Sequence, residues 1–484
     1  MRILLWHGWL LEGSGSNVAA ARLAEVYRAS GHDVLLVCQE GHPERYPWID
    51  ASGTVDASGV PEPAPNPHAT PASGRCVLLR PLTGRLLPVF VVDEYEGFEV
   101  KAFVDLTDEE LEAYLGRCVE ALAAAAAWHR PEAVLAAHAV PGPAIARRAL
   151  GPRTYLARIH GSDLEYAVRP QRRYRELAAE GLGAARAVTG ATHEVLARCV
   201  QMVPAARDLT RVIRPGVSVE AFHPMPRREA LLDVAERLEA DPDIRRGRPS
   251  SHDALVARAV ANGTPDELDR LATTYDQDVP DPDAAGRLRE LARSDRPLVG
   301  YLGKLIPQKG VELLIAGACA AETDVDVAIV GFGTHRERLE AFAMEAERGR
   351  RIVFTGRLDH RYAPGVLAAM DVAVVPSILE EAFGMVAAEA AAAGALPLVA
   401  RHSGLAEVAA ELEAEVGRPG LFSFEPGPEG ALAVADGIDR LLGLPADERD
   451  DLRARVSAFV AREWTWERTA ASLLEAATGP IRKA

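Results

Sequence analysis

Lysine is nearly missing from this chain. Of 54 basic residues only four are lysine, Lys101, Lys304, Lys309 and Lys483, and the others are arginine. Cysteine is also scarce: Cys38, Cys76, Cys118, Cys199 and Cys319 are odd in number and never spaced as C-x-x-C. That pattern argues against a disulfide framework and a zinc site and leads us to expect a reduced, cytoplasmic setting. No window approaches the ~18 consecutive apolar residues of a membrane span. The opening "MRILLWHGWL" has one arginine and a short apolar run, and Gly13 to Asn17 follow where a cleavage region would stand. A first β-strand is therefore expected there rather than a signal peptide. Positive charge is in deficit as well. A formal net charge of −16 would repel a phosphate backbone, which argues against nucleic acid as a partner.

What is present is a repeated grammar of short apolar runs and helical periods. At 484 residues the chain exceeds one ordinary core, so two domains and an insertion are expected. Arg2 to Trp6, Val18 to Ala29 and Asp33 to Cys38 read as a βαβ unit. The stretch from Ala51 to Gly74, rich in Pro, Gly, Ser and Ala, reads as an exposed loop. "VLLRP" and "PVFVVDEY" read as strands, Asp108 to Trp128 as a long helix, and "AVLAA", "TYLARI" and "AVTGA" as further strands. The second half alternates more cleanly, from "PLVGYLG" to "GLFSF". Such runs, separated by helices, specify an α/β fold of two Rossmann-like halves, each a parallel sheet covered on both faces. Between them, Met225 to Arg296 has helical period broken by "DPD", "NGTPDE" and "DQDVPDPD", as an all-helical insertion would. Either a solvated cap or a functional lid fits it.

Four stretches carry candidate chemistry. In "EEAFGMVAAEAAAAG", the loop after strand "DVAVVPS" and the start of an alanine-rich helix lie at the carboxyl end of a parallel strand, where open α/β sheets bind ligands. Gly384 would let a ligand approach beside Phe383, and the amides of Met385 and Val386 would point at an anion. Glu381 and Glu389 suit vicinal diols on either side of a diphosphate. Taken alone, they read first as a helix-start carboxylate and a solvated helix residue, and the lysine pair Lys304 and Lys309 tips the reading toward a ligand. In "VGYLGKLIPQKGVELLI", two of the four lysines fall at one strand-to-helix turn, where Lys304 and Lys309 could neutralise a diphosphate leaving group.

"GSGSN" after the first strand has Val18 where the dinucleotide fingerprint wants glycine, so Gly13 and Gly15 speak weakly for NAD; close ligand approach or a plain turn capped near Asn17 remain. "RIHGSDLEY" ends a strand with His160, followed by Asp163; the histidine could meet a sugar hydroxyl or be structural. Arg169, Arg172, Arg173 and Arg175 form either an acceptor-binding cluster or a solvated helix face. Asp-x-Asp pairs at Asp241, Asp276, Asp281 and Asp324 do not close strands, so no metal is expected.

With these motifs the chain resembles the retaining GT-B fold glycosyltransferases of family 4, the glycosyl transferases group 1. The resemblance runs through the first loop, "HGSD", "IRPGVSVEAFHP", "GKLIPQKG", "EAFGMVAAE" and "WTWERTAASLLEAA". It implies two domains facing across a cleft: 1–212 for the acceptor, with a last helix from about 464 to 484 returning to it, and 213–463 for a nucleotide diphosphate sugar, carrying the 225–296 insertion. It implies that Glu381 holds the donor hexose, Glu389 the ribose, Lys304 and Lys309 the diphosphate, and that His160 lies beside the reacting carbon. His160, Asp163, Arg169 and Arg173 are the expected acceptor residues, and Gly13, Gly15, Phe383, Gly384, Met385 and Val386 join the donor set.

The implied reaction is front-face hexosyl transfer with retention, using no metal or cofactor, from a UDP-, GDP- or ADP-sugar to a small-molecule or glycan acceptor. Membrane contact is not favoured. An epimerase or sugar phosphorylase on the same fold, or a non-catalytic nucleotide-sugar-binding protein, are the alternatives. Two departures stand out: Lys304 where the family often has arginine, and Pro215 where it usually has asparagine.

Overall fold

The computed structural model describes residues 1–91, 95, 97–248, 251–274, 279–346 and 351–480, and the chain forms two compact units. The first comprises Met1–Gly216 and Trp466–Ala484, the second Val217–Thr465.

In the first unit the strands are β1 (Arg2–Trp6), β2 (Asp33–Val37), β3 (Ala51–Val55), β4 (Ala64–Pro65), β5 (Arg75–Pro81), β6 (Leu86–Val89), β7 (Glu99–Ala102), β8 (Ala133–Ala137), β9 (Leu156–Arg158), β10 (Ala187–Gly190) and β11 (Thr210–Val212). Nine of them form a sheet in the order β11-β10-β9-β8-β1-β2-β5-β3-β4, parallel except for the β3–β4 edge, while β6 and β7 pair separately. Ile3, Leu4, Val34, Leu35 and Leu36 are fully buried, as strands covered on both faces require. The helix Gly15–Ala29 starts three residues earlier than expected, because Ser14 caps it by accepting from the Asn17 amide at 3.3 Å. Asp108–His129 begins at a capping box of Thr107 and Glu110.

Ala51–Gly74 is not simply an exposed loop. β3 lies parallel to β5, and the Asn66 carboxamide donates to the carbonyls of Pro43, Tyr46 and Ile49 at 3.4, 3.2 and 2.9 Å. Backbone pairing and this carboxamide hold a segment whose composition is that of a turn. Of "PVFVVDEY" only Pro88 and Val89 are paired among the described residues, as the end of β6, and Val92, Asp93 and Glu94 lie outside the described residues. The last helix, Trp466–Thr478, packs in this unit: Tyr27 donates to the Ala470 carbonyl at 3.0 Å and Thr469 to that of Arg214 at 2.8 Å. Trp464 packs in the second unit, edge-on to Phe383 at 5.3 Å.

The second unit has β12 (Leu298–Leu302), β13 (Asp326–Val330), β14 (Arg351–Phe354), β15 (Val372–Val375), β16 (Leu396–Ala400) and β17 (Ser423–Phe424), all parallel, in the order β14-β13-β12-β15-β16-β17. Numbered within the sheet this is 3-2-1-4-5-6, the doubly wound order, with its switch point between β12 and β15. Within 225–296 the helices are Arg227–Ala240, Ser251–Asn262, Pro265–Thr274 and Ala284–Ala292. Val256, Ala259, Leu268 and Leu271 form a small core with Ala341 of the helix after β13. Of the Asp-x-Asp pairs, Asp276 and Asp278 lie outside the described residues.

Candidate active site

The switch point of the second sheet brings together the two stretches singled out in the sequence. The loop after β12 carries Lys304 and Lys309, and the loop after β15 carries Ser377 and Glu381. The loops are joined through Gln308, whose carbonyl accepts the amides of Ile378 at 2.9 Å and Leu379 at 3.1 Å.

Glu381 is fixed at both backbone and side chain. Its carboxylate pairs with the Lys309 ammonium and accepts the Ser377 hydroxyl at 3.0 Å. Its amide donates to Ser403 Oγ at 3.0 Å, and its carbonyl accepts the Gly404 amide at 2.9 Å. His402 completes the frame, with Nε2 2.6 Å from the Ser377 carbonyl and Nδ1 3.1 Å from Ser403 Oγ. A carbonyl only accepts, so Nε2 carries the proton, and in the neutral ring Ser403 donates to Nδ1 while accepting from Glu381. Ser403 sits at φ 48°, a costly conformation for serine, as held residues at functional sites often do. The carboxylate is placed in turn against Tyr301, whose phenol is pushed upward by burial first and then by the Glu381 charge. Its hydroxyl donates to the Lys304 carbonyl at 2.8 Å.

The turn into the following helix explains Gly384. Its φ of 101° is left-handed, and a Cβ there would lie 2.4 Å from Leu405 Cδ2. Met385 and Val386 then open the helix Met385–Ala392, half-buried, with their amides at its N-terminus. Glu389, on the same helix, is 8% exposed and its carboxylate lies 3.3 Å from His360 Nε2. Phe383, of the expected donor set, is buried, with its ring edge-on to that of Trp464. The Lys304 ammonium lies 5.9 Å from the centre of the Phe332 ring, and the Arg357 guanidinium 5.0 Å from it.

The first unit has its own switch point, between β1 and β8. Gly13 stands in the loop after β1 and Gly15 opens the next helix. His7 follows β1 and His138 follows β8, the latter at φ 69°. The His138 ring lies 4.6 Å from His160, 4.5 Å from Trp9 and 6.0 Å from His7. Burial, then the charges of His138 and Arg158, hold His160 well below the usual histidine range. His7 is lowered as well, by burial and then by the His138 charge, so the cluster resists taking up protons at these two rings.

Asp163 does not face an acceptor. It is fully buried, and its carboxylate accepts the amides of Ala139 at 2.6 Å, Gly161 at 2.8 Å, Leu164 at 2.9 Å and His160 at 3.3 Å. Burial works against its ionisation, yet His138, His160 and the Ala139 amide hold it down to about 2. It shapes the loop that carries His160. Arg173 is likewise turned inward, donating to the carbonyls of Phe103 and Leu106 and to Asp108. Arg169 is half exposed and paired with Glu165.

The sequence reading missed His7, His138, Ser377, His402 and Ser403. A signal existed for His7 and His138, each of which directly follows an apolar run, in "LLWHG" and "LAAHA".

Residues 287–458 match the family described as glycosyl transferases group 1. Among curated relatives, the GDP-mannose-dependent alpha-(1-6)-phosphatidylinositol monomannoside mannosyltransferase of Mycolicibacterium smegmatis is 30% identical over 239 residues, 46% of this chain and 59% of that protein. The 2-deoxystreptamine glucosyltransferase of Streptomyces kanamyceticus is 32% identical over 177 residues, 36% of this chain and 42% of that protein. The chain thus spans about half the length of these curated relatives. Sucrose-phosphate synthase from Thermosynechococcus elongatus superposes with a TM-score of 0.62 at 20% identity, covering 98% of this chain and 97% of that one. The fold is GT-B, and the stretch 287–458 that builds the second sheet is similar to the glycosyl transferases group 1.

Proposed function

We propose that this protein is a retaining glycosyltransferase that moves a hexosyl group from a nucleotide diphosphate sugar to an acceptor hydroxyl. The observation that carries it is the framing of Glu381 by Lys309, Ser377 and Ser403 beside Lys304 and an open helix N-terminus. A carboxylate next to two cations suits a ligand that presents sugar hydroxyls and a diphosphate together. Glu381 takes donor hydroxyls, and Glu389 the ribose. Lys304, Lys309 and the amides of Met385 and Val386 receive the charge that develops on the leaving diphosphate. The departing phosphate accepts the proton of the acceptor hydroxyl as the new glycosidic bond forms on the same face, so the anomeric configuration is retained. The ammonium groups supply the positive charge, and no metal is invoked. The first unit is assigned the acceptor, with His160 offered to a sugar hydroxyl.

The two relatives are named for a GDP-mannose donor with a phosphatidylinositol-linked acceptor, and for a 2-deoxystreptamine acceptor. The net charge of −16 disfavours an anionic lipid surface, so a soluble small molecule or glycan is the acceptor we favour, in the cytoplasm. Among the described residues no helix is long and apolar enough to cross a membrane.

The test is a thermal-shift and nucleotide-release panel with UDP-, GDP- and ADP-sugars on wild type and Lys304→Ala. One donor should stabilise the wild type and slowly release its nucleotide, and Lys304→Ala should lose both effects. If no nucleotide sugar stabilises the wild type, the donor-site assignment fails.

A further inference from the structure

The helical insertion ends in a buried ionic network that leads to Lys304. Asp281, 4% exposed, accepts both terminal nitrogens of Arg336, at 2.7 and 2.5 Å. The fully buried Arg336 also donates to Glu340 at 2.9 Å, and Arg248 of the insertion grips the same Glu340 with two nitrogens at 2.8 and 2.7 Å. Burial of this kind is costly unless every partner is kept, so the network has one well-defined arrangement. Here burial works against the Arg336 charge and is outweighed by Asp281 and Glu340.

Arg336 is the first residue of the helix Arg336–Ala346, directly after the loop Gly331–His335 at the carboxyl end of β13. Its amide donates to the Gly333 carbonyl at 3.1 Å. That loop touches the Lys304 loop at two points, Leu305 donating to Phe332 at 2.6 Å and His335 to Leu305 at 3.1 Å, and Gly303 donates to Val330 at the end of β13 at 3.0 Å. A Cβ on Gly333 would stand 2.2 Å from the Leu305 carbonyl oxygen, so the two loops cannot shift independently. The Phe332 ring is the surface on which the Lys304 and Arg357 cations rest. Asp281 reaches the Arg357 side as well, its amide donating to Thr355 at 2.9 Å while Pro280 bridges Gly356.

From this chain of contacts we infer that the insertion is a brace for the donor loop, with Asp281 a positioning residue that acts through Arg336 and the Phe332 loop on Lys304. The inference rests on the donor reading of Lys304 and assigns the 225–296 segment a task in that site.

The test is a thermodynamic cycle on nucleoside diphosphate binding. Affinities for UDP, GDP and ADP are measured by calorimetry for wild type, Asp281→Asn, Lys304→Ala and the double variant, each verified as folded by circular dichroism. The nucleotide that binds the wild type should be held about tenfold more weakly by Asp281→Asn and by Lys304→Ala, and no more weakly by the double variant than by Lys304→Ala alone. Asp281→Glu, which keeps the carboxylate, should recover part of the loss. Losses that multiply in the double variant, or wild-type affinity in folded Asp281→Asn, would overturn the brace and leave the donor reading standing. If no nucleoside diphosphate binds the wild type, the donor reading falls and the brace with it. Should Asp281→Asn not fold, Arg248→Lys, which keeps the charge but loses the two-nitrogen grip on Glu340, takes its place in the cycle with the same expected pattern.

Discussion

Lys309 and Glu381, 72 residues apart in the chain, form an ion pair at the switch point of the second sheet. In that pair the ammonium assigned to the diphosphate is already committed to the carboxylate assigned to the sugar. The two truncations should therefore act differently. Glu381→Ala removes the acceptor for donor hydroxyls and releases Lys309, so turnover should fall by about a hundredfold or more while nucleoside diphosphate affinity holds or rises. Lys309→Ala should weaken that affinity by about tenfold. Initial rates and calorimetry read the two effects separately, and unchanged donor turnover in Glu381→Ala would remove the residue from the donor site.

Two glycines of the expected donor set differ in what a methyl group would meet. At Gly384 the left-handed φ of 101° and the 2.4 Å approach to Leu405 make Gly384→Ala destabilising, by about 2 kcal/mol or more. At Gly15 the space around a Cβ is open and the backbone is already helical, so Gly15→Ala should leave stability unchanged or raise it by up to about 1 kcal/mol. Urea unfolding of both variants decides the contrast, which reverses only if the turn at Gly384 is not the one described.

The parts of this structure that could be read in advance are those set by local pattern. β1, β2 and the strands of the second half appear as short apolar runs because parallel strands are covered on both faces, and the Lys304–Lys309 and Glu381–Glu389 stretches stand out because each follows such a run. The pairing of Lys309 with Glu381 depends on β15 lying beside β12, a strand order that no local pattern encodes. Ser403 and His402 reach the site from beyond the next strand for the same reason. "HGSD" gives no sign of whether its carboxylate turns outward to a ligand or inward to four amides, and Asp163 turns inward. β3 was hidden by composition: its pairing to β5 holds a segment whose residues favour turns.

Acid should destabilise the first unit through its buried histidines. Burial first, and then the His138 charge, lower His7 from 6.5 to about 3. The unfolded chain therefore takes up this proton at a pH where the folded one still refuses it. Stability from His7 is complete above about pH 6.5 and is lost as pH falls toward 3, by up to about 1.4 kcal/mol per pH unit. His160 acts in the same direction. Asp163, held down to about 2 from 3.8, adds its loss only below about pH 4. Urea unfolding between pH 7 and 4 can be followed by Trp9 fluorescence, since that ring lies 5.7 Å from His7. The slope should be shallower in His7→Gln, and parallel slopes in variant and wild type would refute this origin.

Arg169 and Arg173 share one cluster in the sequence and separate in the structure. Arg173 holds the segment before the helix Asp108–His129: it donates to the Leu106 carbonyl and the Asp108 carboxylate, each at 2.8 Å, and its guanidinium lies 4.9 Å from the centre of the Tyr174 ring. Removing it strips hydrogen bonds from partly buried carbonyls, so Arg173→Ala should cost about 2 kcal/mol of stability. Any change in acceptor KM should then follow that loss and be restored in part by Arg173→Lys. Arg169 is half exposed and paired with Glu165 one helical turn away, and Arg169→Ala should cost less stability than Arg173→Ala, under about 1 kcal/mol. If this arginine serves an anionic acceptor, its loss should raise the acceptor KM several-fold with the melting temperature unmoved. A KM unchanged in Arg169→Ala would remove the last of the expected arginines from acceptor recognition and leave His160, with its imidazole neighbours, as the polar group the first unit offers.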